Sequence, residues 1–355
     1  MKRLAALLAA VGMIAGAVLV RGWLDDRRGS GGDRATGASA QLTLVCVTEL
    51  AGVCEQLASR EPGLRVRTEE LTTTVSTLTG GDLDARSSEI DGWLTLAPLP
   101  EVVDEQRVRA GLQPVLTGQV GPLARSPLVL VVWNDRRAAL EATCPDRVIS
   151  WRCLGAIAGE PWTQHGGTVT WGAVKPGHPA PDRSAVGWLA LAGAAASWFG
   201  RADYAANDFA DPAFRQWLEK LERGVPSFPA PPRTPVDEML SKGPGTFDVA
   251  ASTEAAATGA IARSRVKDRL SVIYPVPSST ADVVLATVAG SDGEDRLRRL
   301  LESRDAAEVL ADQGWRVAGR EDAAGGTAEP LPPTNGLPRP GVLQALRNLW
   351  FEVIR

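Results

Sequence analysis

Four cysteines, two histidines and a scatter of hydroxyl and carboxylate residues at the ends of short apolar runs are the residues of this 355-residue chain whose types and spacing could do chemistry. The cysteines fall in two close pairs, Cys46/Cys54 and Cys144/Cys153. Neither pair has C-x-x-C spacing, and the nearest histidine, His165, lies twelve residues beyond Cys153, so no zinc set is complete. Three connectivities are open to four cysteines. Two local disulfides are the simplest reading in an oxidising compartment, and four buried thiols are the alternative.

Catalysis finds little to work with. The sequence has no G-x-S-x-G elbow, no P-loop and no H-E-x-x-H. A Ser184/His178/Asp182 triad can be written down, but its members crowd within seven residues and would have to converge from a single turn. His165 lies in a Gly-rich loop and His178 among prolines, so both read as loop residues. No enzyme, metal or cofactor is expected.

A different chemistry is suggested by polar residues standing between apolar runs and helical segments: Thr48 and Glu49, Ser126, Ser184, Thr253 and Glu254, and Ser279. Helix starts carry free N–H groups and the positive end of the helix dipole, which suits them to bind polar or anionic groups. The competing explanation is ordinary N-capping, worth about 1 kcal/mol each.

Composition narrows the field. Lys+Arg 38 against Asp+Glu 42 leaves a net charge of −4, so there is no basic excess to cover a phosphate backbone and no nucleic-acid partner is expected. With 44% hydrophobic residues the chain is globular and long enough for more than one core.

Lys2 and Arg3 precede an uncharged run from Leu4 to Val20, whose seventeen residues span about 25 Å as a helix against roughly 30 Å of hydrocarbon core. Residues 1–24 read as a signal peptide or a membrane anchor. The run continues past Ala15-Gly16-Ala17, which favours the anchor, a transmembrane helix left uncleaved. Residues 25–40 are polar and Gly/Ser-rich, a flexible linker. The expected location is extracytoplasmic, membrane-anchored or secreted.

From Gln41 the pattern alternates. Leu42–Val47, Leu64–Leu71 and Ile90–Leu96 read as strands, and the helical segments after them imply a parallel sheet with helical crossovers. Leu123–Trp133 is the strongest strand. Val169–Ala173, Phe247–Ala251, Leu270–Tyr274 and Val283–Val288 are further strand candidates. An apolar helix follows Asp182, and Pro226–Pro235 forms a rigid proline-rich loop. Residues 321–340 are a Gly/Pro-rich linker. Residues 341–355 form an amphipathic helix with Val342, Leu346, Leu349 or Trp350, and Val353 on its apolar stripe.

Five local patterns, in order, carry a resemblance. They are LTLVCVTELAGV (42–53), IDGWLTL (90–96), ARSPLVLVVW (124–133), KPGHPAPDRSAVGWLAL (175–191), and TFDVAASTEAAATGAI (246–261) leading to LSVIYPVPSSTADVV (270–284). Over residues 41–320 the chain resembles bacterial extracellular solute-binding proteins of ABC transporters with the type II periplasmic-binding fold, in the branch typified by sulfate- and molybdate-like binders. The resemblance implies an α/β fold of two lobes, each a mainly parallel sheet flanked by helices, joined by crossover strands near Ser126–Trp133 and Leu270–Tyr274. Lobe one would hold 41–125 with 272–320, and lobe two 126–271.

On that plan Thr48, Glu49, Ser126, Ser184, Thr253, Glu254 and Ser279 face the interlobe cleft as ligand-binding residues. Glu49 and Glu254 would repel an oxyanion. The paired serines associated with oxyanion binders are also missing after the first strand. A polar organic or cationic solute is thus as good a fit. Disulfides Cys46–Cys54 and Cys144–Cys153 would each stay within a lobe and leave closure free. Trp93, Trp162 and Trp171 are stacking candidates, with Trp162 the foremost, whereas Trp188 reads as core. The expected function is capture of a small polar solute for transport, with an ABC-transporter permease or another membrane protein as partner. The alternative is a membrane-tethered sensor or protein-interaction module on the same fold.

Overall fold

A computed structural model describes residues 41–80, 90–318 and 336–354. The signal or anchor segment 1–24, the linker 25–40 and most of the linker 321–340 lie outside the described residues.

The opening run LTLVCV forms β1 (Leu42–Val47), almost wholly buried. Such a run buries both faces of a strand and belongs at the centre of a parallel sheet. β1 pairs in parallel with β2 (Leu64–Glu69) on one side and with β3 (Gly92–Leu96) on the other. The crossovers are α1 (Ala51–Arg60) and α2 (Leu71–Thr79), and α3 (Leu99–Arg109) follows β3. β8 (Thr280–Val288) lies antiparallel beside β3.

The long strand β4 (Leu116–Trp133) joins the two halves. Its first part pairs antiparallel with β8, ending at Pro127↔Thr280. From Leu128 it pairs with β6 (Val249–Thr253) on one side, and from Leu130 with β7 (Leu270–Ile273) on the other. Pro127, which has no N–H to give, stands where the partners change. β5 is only Pro176–Gly177, parallel to β6. The full order is β2-β1-β3-β8-β4-β6-β5, with β7 off that path on β4. The parallel pairs expected from the alternating pattern are present in the first half, around β1. The second half departs from the expected mainly parallel sheet: β4 pairs antiparallel with both β6 and β7, and only the two-residue β5 runs parallel to β6, because β4 enters it as the returning continuation of the first sheet and not through a helical crossover.

Leu128, Leu130 and Val132 of β4 enter the main core, whereas Val129, Val131 and Trp133 enter a second core with Met239 and Phe247. The period-2 alternation of a strand thus feeds two cores, which is why the sequence here is apolar without a break. Twelve α-helices surround these sheets among the described residues. They continue after β4 with α4 (Asn134–Thr143), α5 (Trp151–Ile157), α6 (Ala185–Phe199), α7 (Pro212–Arg223), α8 (Pro235–Lys242) and α9 (Glu254–Ala262). The last three are α10 (Glu294–Leu301), α11 (Arg304–Asp312) and α12 (Pro340–Val353).

The disulfides are the local ones. Cys46–Cys54 fastens β1 to α1, and Cys144–Cys153 fastens the end of α4 to α5. Two sequence expectations change. Val169–Trp171 is a 3-10 turn and not a strand, ended at Gly172 with φ 69°, and Trp171 packs edge-on against Trp162. His178 is not an exposed loop residue but is 2% accessible.

The C-terminal helix α12 buries Leu343, Leu346, Leu349 and Trp350. Leu343 joins the expected stripe, with Val342 and Val353 packed partly buried at its sides, because the helix is wedged between α3 on one side and α6 and α7 on the other. Trp188 of α6 donates its indole N–H to the Leu343 carbonyl at 3.0 Å, and Gln106 of α3 bonds Gln344 at 2.6 Å.

Candidate functional site

A cavity of about 240 Å³ opens where the end of β1, the starts of α6 and α9, and the proline-rich loop before α8 meet. Each wall follows from local sequence. β1 ends at Val47, and the next turn presents Thr48 and Glu49. Helix α6 (AVGWLALAGAAASWF) is apolar all round, so it is buried almost entirely and its polar start is the part left for the cavity. Ser184 caps it, its Oγ accepting from Gly187 N–H at 2.9 Å. Any side chain at Gly187 would collide with the Pro179 carbonyl. Thr253 caps α9 by accepting from Ala256 N–H at 3.2 Å. Pro229, Pro231 and Pro232 form the facing wall.

A second chamber of about 350 Å³ shares Glu49, Thr253, Ala256 and Arg263 with the first. It continues between α1, at Gly52 and Val53, and α9, and is closed by the turn Asp312–Trp315.

Four expected ligand residues, Thr48, Glu49, Ser184 and Thr253, line the first chamber. Ser126, Glu254 and Ser279 line neither. Ser126 is fully buried and caps α9, its Oγ accepting from Ala255 N–H at 3.0 Å. Glu254 is also fully buried: Arg316 donates to both its carboxylate oxygens at 2.7 Å, and Tyr274 adds its hydroxyl. Ser279 is 5% accessible and its carbonyl accepts from Leu128 N–H. These three serve the joint between the sheets and not its open face.

Glu49 reaches across that joint. Its Oε1 accepts from Ser184 Oγ–H at 2.6 Å and from Val186 N–H at 3.0 Å, and Thr48 Oγ–H bonds Oε2 at 3.1 Å. The carboxylate of the first sheet's turn therefore caps the N-terminus of a helix from the second. Beside it, Leu71 N–H at the start of α2 donates to the Arg183 carbonyl at 3.1 Å, and Thr72 Oγ–H to that of Asp182.

The carboxylates of the first chamber are committed. Asp237 is held by Thr234 N–H and Oγ–H, both at 2.8 Å, and Glu49 by α6. Of the arginines, Arg183 donates to the Phe228 carbonyl at 3.3 Å and lies 3.8 Å from Asp182. Arg233 and Arg263 make no ion pair among the described residues, and both are exposed at the cavity. The uncommitted formal charge of the groove is positive. Glu254 is paired with Arg316 outside the chambers, and Glu49 accepts hydrogen bonds from Thr48, Ser184 and Val186, so neither carboxylate stands without partners. Arg233 and Arg263 escaped the sequence reading because an arginine in a loop or after a helix looks like a solvated charge. The proline-rich loop was the one available signal.

Trp162 is no stacking platform. It is fully buried, donating its indole N–H to Asp248 at 3.0 Å. Trp93 is buried too, and Trp188 is core as expected. The written triad does not assemble: His178 faces Pro179 O at 2.9 Å and Glu222 at 3.1 Å, while Ser184 faces Glu49. No cluster of three metal-ligating side chains occurs, and no helix is long and apolar enough to cross a membrane, among the described residues.

No protein-family profile and no curated protein matches the chain. Solved structures do. The sulfate-binding protein SubI from Mycobacterium tuberculosis H37Rv superposes with a TM-score of 0.51 at 19% identity, over 85% of this chain and 95% of that one. A periplasmic thiamin-binding protein does so at 0.54 and 14%, over 91% and 100%. The apo ferric ion-binding protein A of Pasteurella haemolytica gives 0.53 and 10%, over 89% and 96%. At these identities the likeness speaks for the fold: the chain has the two-lobed α/β type II periplasmic-binding fold shared by extracellular solute-binding proteins of ABC transporters.

Proposed function

We propose that this protein is an extracytoplasmic solute-binding module that takes a small, negatively charged polar solute in the groove between its lobes. The observation that carries the reading is the convergence of Thr48, Ser184, Thr253, Arg233 and Arg263 on one cavity from both halves of the fold. The lobes are taken as 41–125 with 272–320, and 126–271, a division that the change of strand partners at Pro127 supports. Hydroxyls and a helix N-terminus accept oxyanion groups, and the arginines supply charge. The first chamber, about 240 Å³, has room for about eight waters' worth of solute. The solute is bound and handed on, not transformed. A membrane partner such as an ABC-transporter permease would receive it. Two disulfides fit the oxidising side of a membrane.

Thermal denaturation in the presence of sulfate, phosphate, malonate and succinate, each against matched chloride, tests this. A solute present at 100 times its Kd adds about 2.7 kcal/mol of stability. A saturable rise with one anion supports the reading; equal melting in all of them counts against it.

A second reading, a tethered sensor or interaction module without a transported ligand, is favoured by α12. That helix packs on α3 and on α6 and α7 together, which opposes hinge opening. Removing residues 341–355 without changing solute response, while losing capture by a membrane partner, would favour it.

A further inference from the structure

The start of α6 is the groove's natural place for an oxyanion, and a carboxylate already sits there. We propose that Glu49 is a built-in occupant: the two halves are clasped on the protein's own side chain, and an anionic solute enters by taking over the hydrogen bonds that Glu49 now receives.

The geometry is that of ligand recognition. One carboxylate oxygen accepts from the cap hydroxyl of Ser184 and from Val186 N–H, 137 residues away in sequence, and the other accepts from Thr48. A plain N-cap comes from the residue at the helix start itself. Here Ser184 already fills that role, bonding Gly187 N–H. Glu49 therefore adds a second layer of contact, delivered from the opposite side of the groove. Glu49 also lines both chambers, together with Thr253, Ala256 and Arg263.

The charges agree with exchange. Swinging Glu49 away would leave Val186 N–H and the Ser184 hydroxyl unmet in a cavity that Arg263 also lines, an environment that calls for a replacement anion. A neutral or cationic solute could not supply one. The apparent affinity is lowered by the fraction of molecules in which Glu49 holds the position, so the clasp sets a threshold of solute concentration.

This deepens the solute-binding reading, and its test separates the two. Purified wild type and Glu49→Ala are compared by small-angle scattering and thermal melting in sodium acetate and in matched sodium chloride. Acetate carries the carboxylate that the substitution removes. The expected result is a larger radius of gyration and lower melting temperature for Glu49→Ala in chloride. Acetate should restore both and leave wild type unchanged. Glu49→Ala with wild-type radius and melting, equal in acetate and chloride, would overturn the proposal.

Should Glu49→Ala fail to fold, Glu49→Gln keeps the side chain's shape without its charge. It should respond to sulfate or phosphate at concentrations at least tenfold below those needed by wild type. An unchanged response would overturn the proposal as well. Acetate rescue with no solute response in wild type would support the clasp and tell against the receptor.

Discussion

Trp350 and Glu222 tie the last helix to the interior: the indole N–H of Trp350 donates to Glu222 Oε2 at 2.7 Å, and the same carboxylate receives His178 at 3.1 Å. Both nitrogens of the His178 ring face acceptors, Glu222 and the Pro179 carbonyl. That arrangement suits a doubly protonated ring.

Stability should therefore depend on pH through His178. Burial disfavours its charge, but the attraction and hydrogen bond of Glu222 and the Pro179 carbonyl outweigh burial and raise its pKa above the ordinary 6.5. A raised histidine pKa contributes stability that is complete below pH 6.5 and is lost as pH climbs through the folded value. Melting measured from acid to mildly alkaline pH should show this fall in wild type and a flatter profile in His178→Gln. Parallel profiles would remove His178 as the cause. Trp350→Phe should cost about 1.5–3 kcal/mol at neutral pH, as loss of a hydrogen bond to a charged group.

Arg316 and Glu254 should behave as an all-or-none pair. Both are buried, and Arg316 holds both oxygens of Glu254. Arg316→Met leaves a buried carboxylate without its cation, at a cost of about 3–5 kcal/mol. The double variant Arg316→Met with Glu254→Gln should recover part of that loss. Urea titrations of the two variants check it, and equal stability would show that the pair is not coupled.

Reduction should weaken the fold at both short loops. With sequence separations of 8 and 9, each disulfide contributes about 2–3 kcal/mol in a chain-entropy estimate. Cys144→Ser with Cys153→Ser should lower the urea midpoint accordingly and leave solute response in place, since neither cysteine lines the groove. Loss of response in a folded variant would place that loop in the site.

Trp162→Phe should cost about 1–3 kcal/mol, because Asp248 loses a buried donor while Arg136 Nε, at 3.1 Å, still pairs with it. Any solute-dependent change in tryptophan fluorescence should survive the substitution. A signal abolished in the folded variant would return Trp162 to the groove.

What the sequence could and could not reveal follows the range of each interaction. β1, the apolar α6 and the two disulfide pairs were legible because local runs and short spacings determine them. Thr48, Ser184 and Thr253 were legible as residues beside helix starts. The partner of Glu49 was not, because α6 lies far along the chain and nothing near Glu49 announces it. Glu254 looked like a cleft carboxylate for the same reason: Arg316, 62 residues on, cancels it only in the folded protein. The covered face of α12 is wider than its own periodicity predicted, taking in Leu343 beside Val342, because three neighbouring helices decide which residues are covered.

The most direct measurement of the central claim is calorimetric titration of wild type and of the double variant Arg233→Ala, Arg263→Ala with the anion that most raises the melting temperature. Both side chains are exposed, so the variant should keep its stability within about 0.5 kcal/mol. One-to-one binding in wild type, weakened at least tenfold in the variant, is the expected result. Equal affinity in the two proteins, or no saturable heat with any anion, would contradict the account.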